Sequence, residues 1–150
     1  MRPNAGANFS GMNTLLKSSL RRIPPRHEGL KAWVACHELV LAIYRITADW
    51  PSREQYGLIS QARRAAYSGA ANIAEGSAKR GNREFRRYLN IALGSIAELS
   101  YVLVLAKDLR YVSPEAWGEV EALRDHAGRL TWGLYRSLEN KPQLITGAPS

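Results

Sequence analysis

The sequence is poor in the residues that build disulfides and metal sites. Cys36 is the only cysteine among 150 residues, which excludes an intrachain disulfide and a cysteine-based zinc site within one chain. No acidic residue stands three positions before His27, His37 or His126, so the Glu-x-x-His pairs that hold two metals in some helical bundles are missing. We therefore expect no metal and no cofactor, and we expect Cys36 to be a buried structural thiol.

Long apolar runs and catalytic motifs are also missing. No apolar run reaches the roughly 18 residues of a spanning helix, and no apolar core followed by a small-residue cleavage site stands near the N-terminus. This predicts a cytoplasmic protein without a membrane partner. The sequence has neither a Walker-type phosphate loop nor a nucleophile elbow, so we expect no enzymatic activity.

Acidic residues are few compared with basic ones. Thirteen Asp and Glu stand against 21 Lys and Arg, which gives a formal charge of +8. Residues 1–30 carry half of that excess, and residues 63–87 contain seven basic side chains against two acidic ones. Such a surplus favours acidic partners, with nucleic acid first and an anionic membrane surface second.

Apolar residues recur at three and four positions in four segments, the period of a buried helical face. The predicted helices cover residues 31–49, 56 or 57 to 79, 83–109 and 114–138. Short links between them predict an all-α, antiparallel up-down-up-down four-helix bundle. Gly76 is predicted to end the second helix and Asn82 to cap the third, while Ser113, Pro114 and Glu115 have the pattern of a helix start.

Three regions differ in composition. Residues 1–29 are rich in Gly, Asn, Ser, Pro and Arg and are predicted to form a disordered basic N-terminal arm. Residues 30–140 form the predicted bundle domain. Residues 141–150 contain two prolines and a glycine and are predicted to be a flexible tail.

A set of short motifs stands in a fixed order between Leu30 and Ser113. The motifs are Leu30-Lys31-Ala32-Trp33, Trp50-Pro51, Tyr56-Gly57-Leu58, Gln61-Ala62-Arg63-Arg64-Ala65, Ser68, Asn72-Ile73-Ala74-Glu75-Gly76, Phe85, Tyr88-Leu89 and Ala92 to Leu99. Together they resemble the bacterial four-helix bundle family named for 23S rRNA intervening-sequence proteins. The resemblance implies the bundle fold far more strongly than a function.

The chain also resembles, more distantly, the accessory variability proteins of diversity-generating retroelements. That likeness implies a homopentameric barrel that works with a reverse transcriptase and nucleic acid. Aromatic residues outside the core stripe, Trp33, Tyr44, Trp132 and Tyr135, either belong to broad apolar faces or indicate self-association. With the resemblance, we expect a homo-oligomer, most simply a pentamer.

Two sets of residues are candidates for a site. Asn72, Glu75 and Gly76 form a polar motif that either bridges helices and pairs with a cation such as Arg64 or Lys79, or lines a binding notch. A basic set is either a solvated face or the nucleic-acid contact, because arginine binds phosphate well and the start of a helix adds positive potential. Its members are Arg63, Arg64, Lys79, Arg80, Arg83, Arg86 and Arg87.

The sequence therefore predicts a non-enzymatic oligomeric scaffold that binds nucleic acid, with RNA as the first candidate, through repeated basic patches. An alternative is an accessory adaptor that binds a reverse transcriptase and its RNA or cDNA. A third possibility is an interaction protein with no role on nucleic acid. No RNP-like or helix-turn-helix pattern accompanies the basic residues, so sequence-specific binding has no support.

Overall fold

The computed structural model describes residues 22–139, which form four α-helices joined by short connections. Helix α1 spans Lys31–Thr47, α2 Leu58–Ala78, α3 Asn82–Asp108 and α4 Pro114–Ser137. Each helix packs against the one before and the one after it, and α1 also packs against α4. This closes the up-down-up-down bundle that the apolar spacing predicted, and no strand occurs in these residues.

Helix α4 begins as the sequence predicted, and α3 does not. The Ser113 hydroxyl accepts a hydrogen bond of 3.2 Å from the Ala116 amide, and Pro114 is the first helical residue. In α3, by contrast, the capping position is Gly81, with a φ of 81°, and no side chain caps the helix. The prediction that Asn82 is the N-cap was therefore wrong, because Gly81 makes the turn and Asn82 is already helical.

Gly76 does not end α2, so that prediction was also wrong. The helix continues to Ala78, and Gly76 is buried against the start of α3. A Cβ atom at position 76 would lie 2.6 Å from Tyr88 Cβ and 3.0 Å from Phe85 Cδ2. The glycine is needed because the backbone of α2 approaches α3 too closely for any side chain.

The core is formed by small residues on α2 and larger ones on the other helices. The buried face of α2 between Ile59 and Gly76 consists mostly of Ala and Gly, and the apolar residues that recur at three and four positions in α3 are buried from Phe85 to Ala106. Cys36 is fully buried, as predicted, and its Sγ lies 3.7 Å from Thr131 Oγ1 of α4. The largest fully buried apolar side chains are Leu39, Ile43, Ile73, Leu89, Leu99 and Leu103.

Within residues 22–139, α3 is the one helix whose length and apolar composition would also suit a membrane span. Nine of its 27 residues are buried against the other helices. The core packing of the bundle therefore accounts for much of its apolar character.

The chain from Arg22 to Gly29 contacts the bundle. Arg26–Gly29 forms a short 3-10 helix, and Arg26 Nη1 donates a hydrogen bond of 3.3 Å to the Ser77 carbonyl at the end of α2. Part of the predicted arm thus lies against α2. The remainder of the arm, residues 1–21, and the predicted tail, residues 141–150, are outside the described residues.

We expect Gly76→Ala to destabilise the fold. The added methyl group would meet the rigid stem of Tyr88, and overpacking of this kind costs about 1–3 kcal/mol, against a gain in helix propensity of about 1 kcal/mol. The free energy of unfolding should fall by up to about 2 kcal/mol in urea denaturation. Gly118→Ala in α4 is the control, because nothing lies within 4 Å of its added Cβ. It should stabilise by up to about 1 kcal/mol, and equal effects of the two substitutions would contradict the close approach.

We expect Cys36 to be unreactive in the folded protein. Burial raises the pKa of its thiol to about 11, despite the neighbouring Thr131 hydroxyl. An aromatic disulfide reagent at about pH 8 should modify Cys36 only after unfolding. Because the unfolded chain loses this proton at lower pH, stability should decline as pH rises from about 9 towards about 11. Rapid labelling of the native protein would contradict this placement.

Candidate nucleic-acid interface

Basic side chains are concentrated at one end of the bundle, where the α2–α3 turn meets the start of α1 and the end of α4. Including the residues that precede α1, nine basic residues stand here against four acidic ones, a net charge of +5. We call this region the basic end. Its basic residues are Arg22, Arg26, Lys31, Lys79, Arg80, Arg83, Arg86, Arg87 and Arg136; its acidic residues are Glu28, Glu75, Glu84 and Glu139.

The opposite end of the bundle is electrically balanced. Segments 45–64 and 107–121, which meet there, contain six basic and six acidic residues. Among the described residues, the excess positive charge is therefore concentrated at the basic end, and the opposite end has no net charge.

Four of the cations at the basic end have acidic partners, and one of these pairs joins Arg22 to Glu28. The hydrogen bond that Arg87 donates to Glu84 also raises the pKa of Arg87. Arg80 and Arg83 are exposed and make no ion pair within residues 22–139, so their guanidinium groups can bind an external anion. The other three pairs are Lys79–Glu75 at 4.0 Å, Arg86–Glu139 at 3.5 Å and Arg87–Glu84 at 3.4 Å.

Aromatic rings support three of the arginines. The guanidinium carbons of Arg86, Arg87 and Arg26 lie 4.3, 4.6 and 5.4 Å from ring centroids. Such stacking limits the motion of a guanidinium group without using its hydrogen-bond donors. The ring beneath Arg86 belongs to α4, so no local sequence pattern links that ring to the site. The ring beneath Arg86 is that of Tyr135, the ring beneath Arg87 is that of Tyr88, and the ring beneath Arg26 is that of Phe85.

The start of α3 adds the positive end of a helix dipole to this cluster. Without a capping side chain at Gly81, the first-turn amides of Asn82 and Arg83 have no side-chain acceptor. Arg80 and Arg83 belong to the same short stretch of chain as these amides. Backbone and side-chain donors thus occur together at one turn, a composition that suits a phosphate group.

The seven basic candidates do not form a single patch. Lys79, Arg80, Arg83, Arg86 and Arg87 belong to the basic end. Arg63 and Arg64 lie in the first third of α2, about 24 Å from Lys79 along the helix axis. Sequence proximity could not reveal this separation, because the turn at residues 79–81 brings together only residues that lie close to it in the chain, and Arg63 and Arg64 lie several helical turns away.

The polar motif is divided in a similar way. The Asn72 Nδ2 group donates to the Ser68 carbonyl at 2.8 Å, and the Ser68 and Ser95 hydroxyls, 2.7 Å apart, link α2 to α3. Glu75 is exposed and accepts a hydrogen bond of 3.2 Å from Tyr88. Asn72 therefore lies in a shallow groove between α2 and α3, whereas Glu75 borders the basic end.

Most of the aromatics outside the core stripe contact groups of their own chain. Trp33 stacks on His37 with a centroid distance of 5.0 Å. Tyr44 and Tyr135 each lie beneath an arginine. Trp132 stacks on Tyr135 and still exposes half of its surface. Intramolecular packing thus accounts for much of a pattern that could also indicate self-association.

The described residues contain no group of three His, Cys, Asp or Glu side chains placed to share a metal ion. The family model for the 23S rRNA-intervening sequence protein matches residues 28–133, which include all four helices except the last residues of α4. The chain belongs to this family. The resemblance that the motifs indicated is therefore confirmed, and the more distant likeness to retroelement accessory proteins stays a prediction.

The bundle is also similar to a solved member of the S23 ribosomal protein family. That crystal structure, of a protein of unknown function from Bacteroides thetaiotaomicron, has a TM-score of 0.63 and 21% sequence identity, and the match covers 70% of this chain and 98% of that one. At this identity the likeness supports the family fold alone. No curated protein matches the chain.

Proposed function

We propose that the protein is a non-enzymatic, oligomeric scaffold that binds RNA through the basic end of each subunit. The observation that carries this proposal is the net charge of +5 at one end of the bundle, beside an opposite end with no net charge. Because the family is named for a 23S rRNA intervening sequence, RNA is the first polyanion to test.

The chemistry at the α2–α3 turn favours phosphate as the group that is bound. Arg80 and Arg83 have no ion pair in the described chain, and they flank the start of α3, where no side chain caps the first-turn amides. Arginine binds phosphate through two parallel hydrogen bonds, and a helix start adds a favourable dipole. Contacts of this kind recognise the RNA backbone and not the base sequence.

Self-association would multiply these contacts, and the exposed surface of α3 supports it. Between Arg87 and Lys107, Glu98 is the only charged residue of α3. The same stretch exposes the apolar side chains of Ile91, Tyr101 and Val104 to solvent. A row of exposed apolar side chains on a core helix is typical of a subunit contact. A ring of subunits would repeat the basic end, so that weak phosphate contacts add through multivalency. The homopentamer and the reverse transcriptase partner stay predictions.

Charge reversal should separate the unpaired arginines from the paired one. We expect Arg80→Glu and Arg83→Glu each to weaken binding of a structured RNA and to lower the slope of log affinity against log salt by about 1. Arg87→Glu should have a smaller effect, because Glu84 already neutralises that guanidinium group. Affinity should be measured by fluorescence anisotropy between about 50 and about 200 mM salt, a range that weakens phosphate contacts steeply.

Arg110→Glu is the matched control for these variants. It makes the same change of charge at an exposed residue near the opposite end of the bundle. Equal losses of affinity for Arg80→Glu and Arg110→Glu would show that net charge alone matters and would contradict a localised interface. Absence of RNA binding by the unaltered protein at low salt would overturn the proposed function.

The exposed face of α3 should control the mass of the particle. Tyr101→Glu places a charge on this face and should reduce the mass measured by light scattering, because burying an unpaired carboxylate in a subunit contact is costly. Tyr101→Phe retains the ring and should keep the original mass. A protein that is monomeric before any substitution, or an unchanged mass for Tyr101→Glu, would contradict self-association through α3.

A further inference from the structure

Three exposed tyrosines and two arginines surround an open groove that begins near the end of α1 and follows the first half of α2. The groove has a volume of about 380 Å³, and we call it the tyrosine groove. Tyr44 exposes 48% of its surface, Tyr67 65% and Tyr56 96%. The charged side chains that line the tyrosine groove are Arg63 and Arg64, and no acidic residue lines it.

The tyrosine groove is distinct from the basic end. Arg63 lies about 24 Å from Lys79 along α2, and the two regions have no residue in common. The proposed phosphate contacts at the α2–α3 turn therefore leave this second cluster of cations and rings without an explanation.

The fold does not require these aromatic rings to be where they are. Tyr56 lies in the connection before α2 and is almost entirely solvated, so it contributes little to the core. Other tyrosines of the chain have defined internal partners: Tyr88 bonds to Glu75 and Tyr111 bonds to Glu54. A large exposed ring without an internal partner is available to bind a ligand.

One of the two arginines is held in place by buried groups. Arg63 Nε donates a hydrogen bond of 2.9 Å to Thr47 Oγ1, and its guanidinium carbon lies 4.6 Å from the centroid of the Tyr44 ring. Thr47 is fully buried and bonds to the Ile43 carbonyl at 2.6 Å. The terminal Nη groups of Arg63 make no hydrogen bond or ion pair within residues 22–139, so a positioned pair of donors remains available.

The tyrosine groove continues along α2 into the groove that contains Asn72. Arg64 and Tyr67 line both depressions, and the second adds Ser68 and Glu98. From Tyr56 to Asn72 the path is about 24 Å long, which equals about seven nucleotides stacked at 3.4 Å. Amide and hydroxyl groups, with the one carboxylate of Glu98, thus follow the aromatic rings along one track.

We propose that the tyrosine groove binds unpaired nucleotides of RNA, with bases stacked on Tyr56 and Tyr67 and phosphates held by Arg63 and Arg64. This inference rests on the proposed function and adds a ligand class, the single strand, to it. Rings that alternate with arginines are the usual means of binding single strands without sequence preference. A paired helix keeps its bases stacked on one another, so it cannot use the tyrosine rings.

The test compares an unstructured RNA of about 12 nucleotides with a blunt duplex of about the same length, within the site sizes of single-strand-binding modules. Each lost stacking contact should lower single-strand affinity at least about fivefold. The double variant Tyr56→Ala/Tyr67→Ala should therefore lose roughly 25-fold for the single strand and little for the duplex. Tyr56→Phe/Tyr67→Phe keeps both rings and should bind as the unaltered protein does.

The possible results separate this inference from the proposed function. Binding of neither RNA by the unaltered protein would overturn both. Unchanged single-strand affinity of the alanine variant, with duplex binding still sensitive to Arg80→Glu, would overturn the tyrosine groove alone. An equal fall for both RNAs, or a reduced particle mass of the alanine variant, would assign the tyrosines to another role and would also overturn it.

Discussion

The close approach of α2 and α3 is the constraint on which the rest of the molecule depends. It requires a stripe of small residues along α2 and a glycine at position 76, where no side chain fits. Because the helices nearly touch there, a turn of only three residues, Lys79 to Gly81, is sufficient to connect them. The short turn then places the cations at its start and those of the first turns of α3 on one small surface.

The distribution of charge along the bundle follows from this geometry. Like charges repel, so a cluster with a net charge of +5 lowers the stability of the folded chain unless a partner or counterions neutralise it. The structure reduces the repulsion in two ways. Arg86 and Arg87 each pair with a nearby carboxylate, and each also stacks on a tyrosine ring, from α4 and α3 respectively. Within residues 22–139, Arg80 and Arg83 have neither kind of support, which makes them the natural sites for an external anion.

The sequence predicted the four helices to within about two residues, because apolar spacing and the Ser113 cap are local signals. It failed at Gly76 and Asn82. A glycine near a helix end resembles a C-cap, and only the neighbouring helix reveals that its role is close packing. The role of the basic residues stays a prediction, and their division into two groups depends on which of them the turn brings together. Contacts such as Arg86 with Tyr135 join distant segments and leave no local pattern.

Photochemical crosslinking tests the central claim, that RNA contacts the basic end, most directly. A structured RNA that carries 4-thiouridine would be irradiated with the full-length protein, and the crosslinked peptides would be identified by mass spectrometry. The account predicts adducts in residues 79–87 and in the adjoining residues 22–31, with the middle of α4 unlabelled. Adducts centred on residues 114–130 of α4, or spread evenly over all four helices, would contradict it.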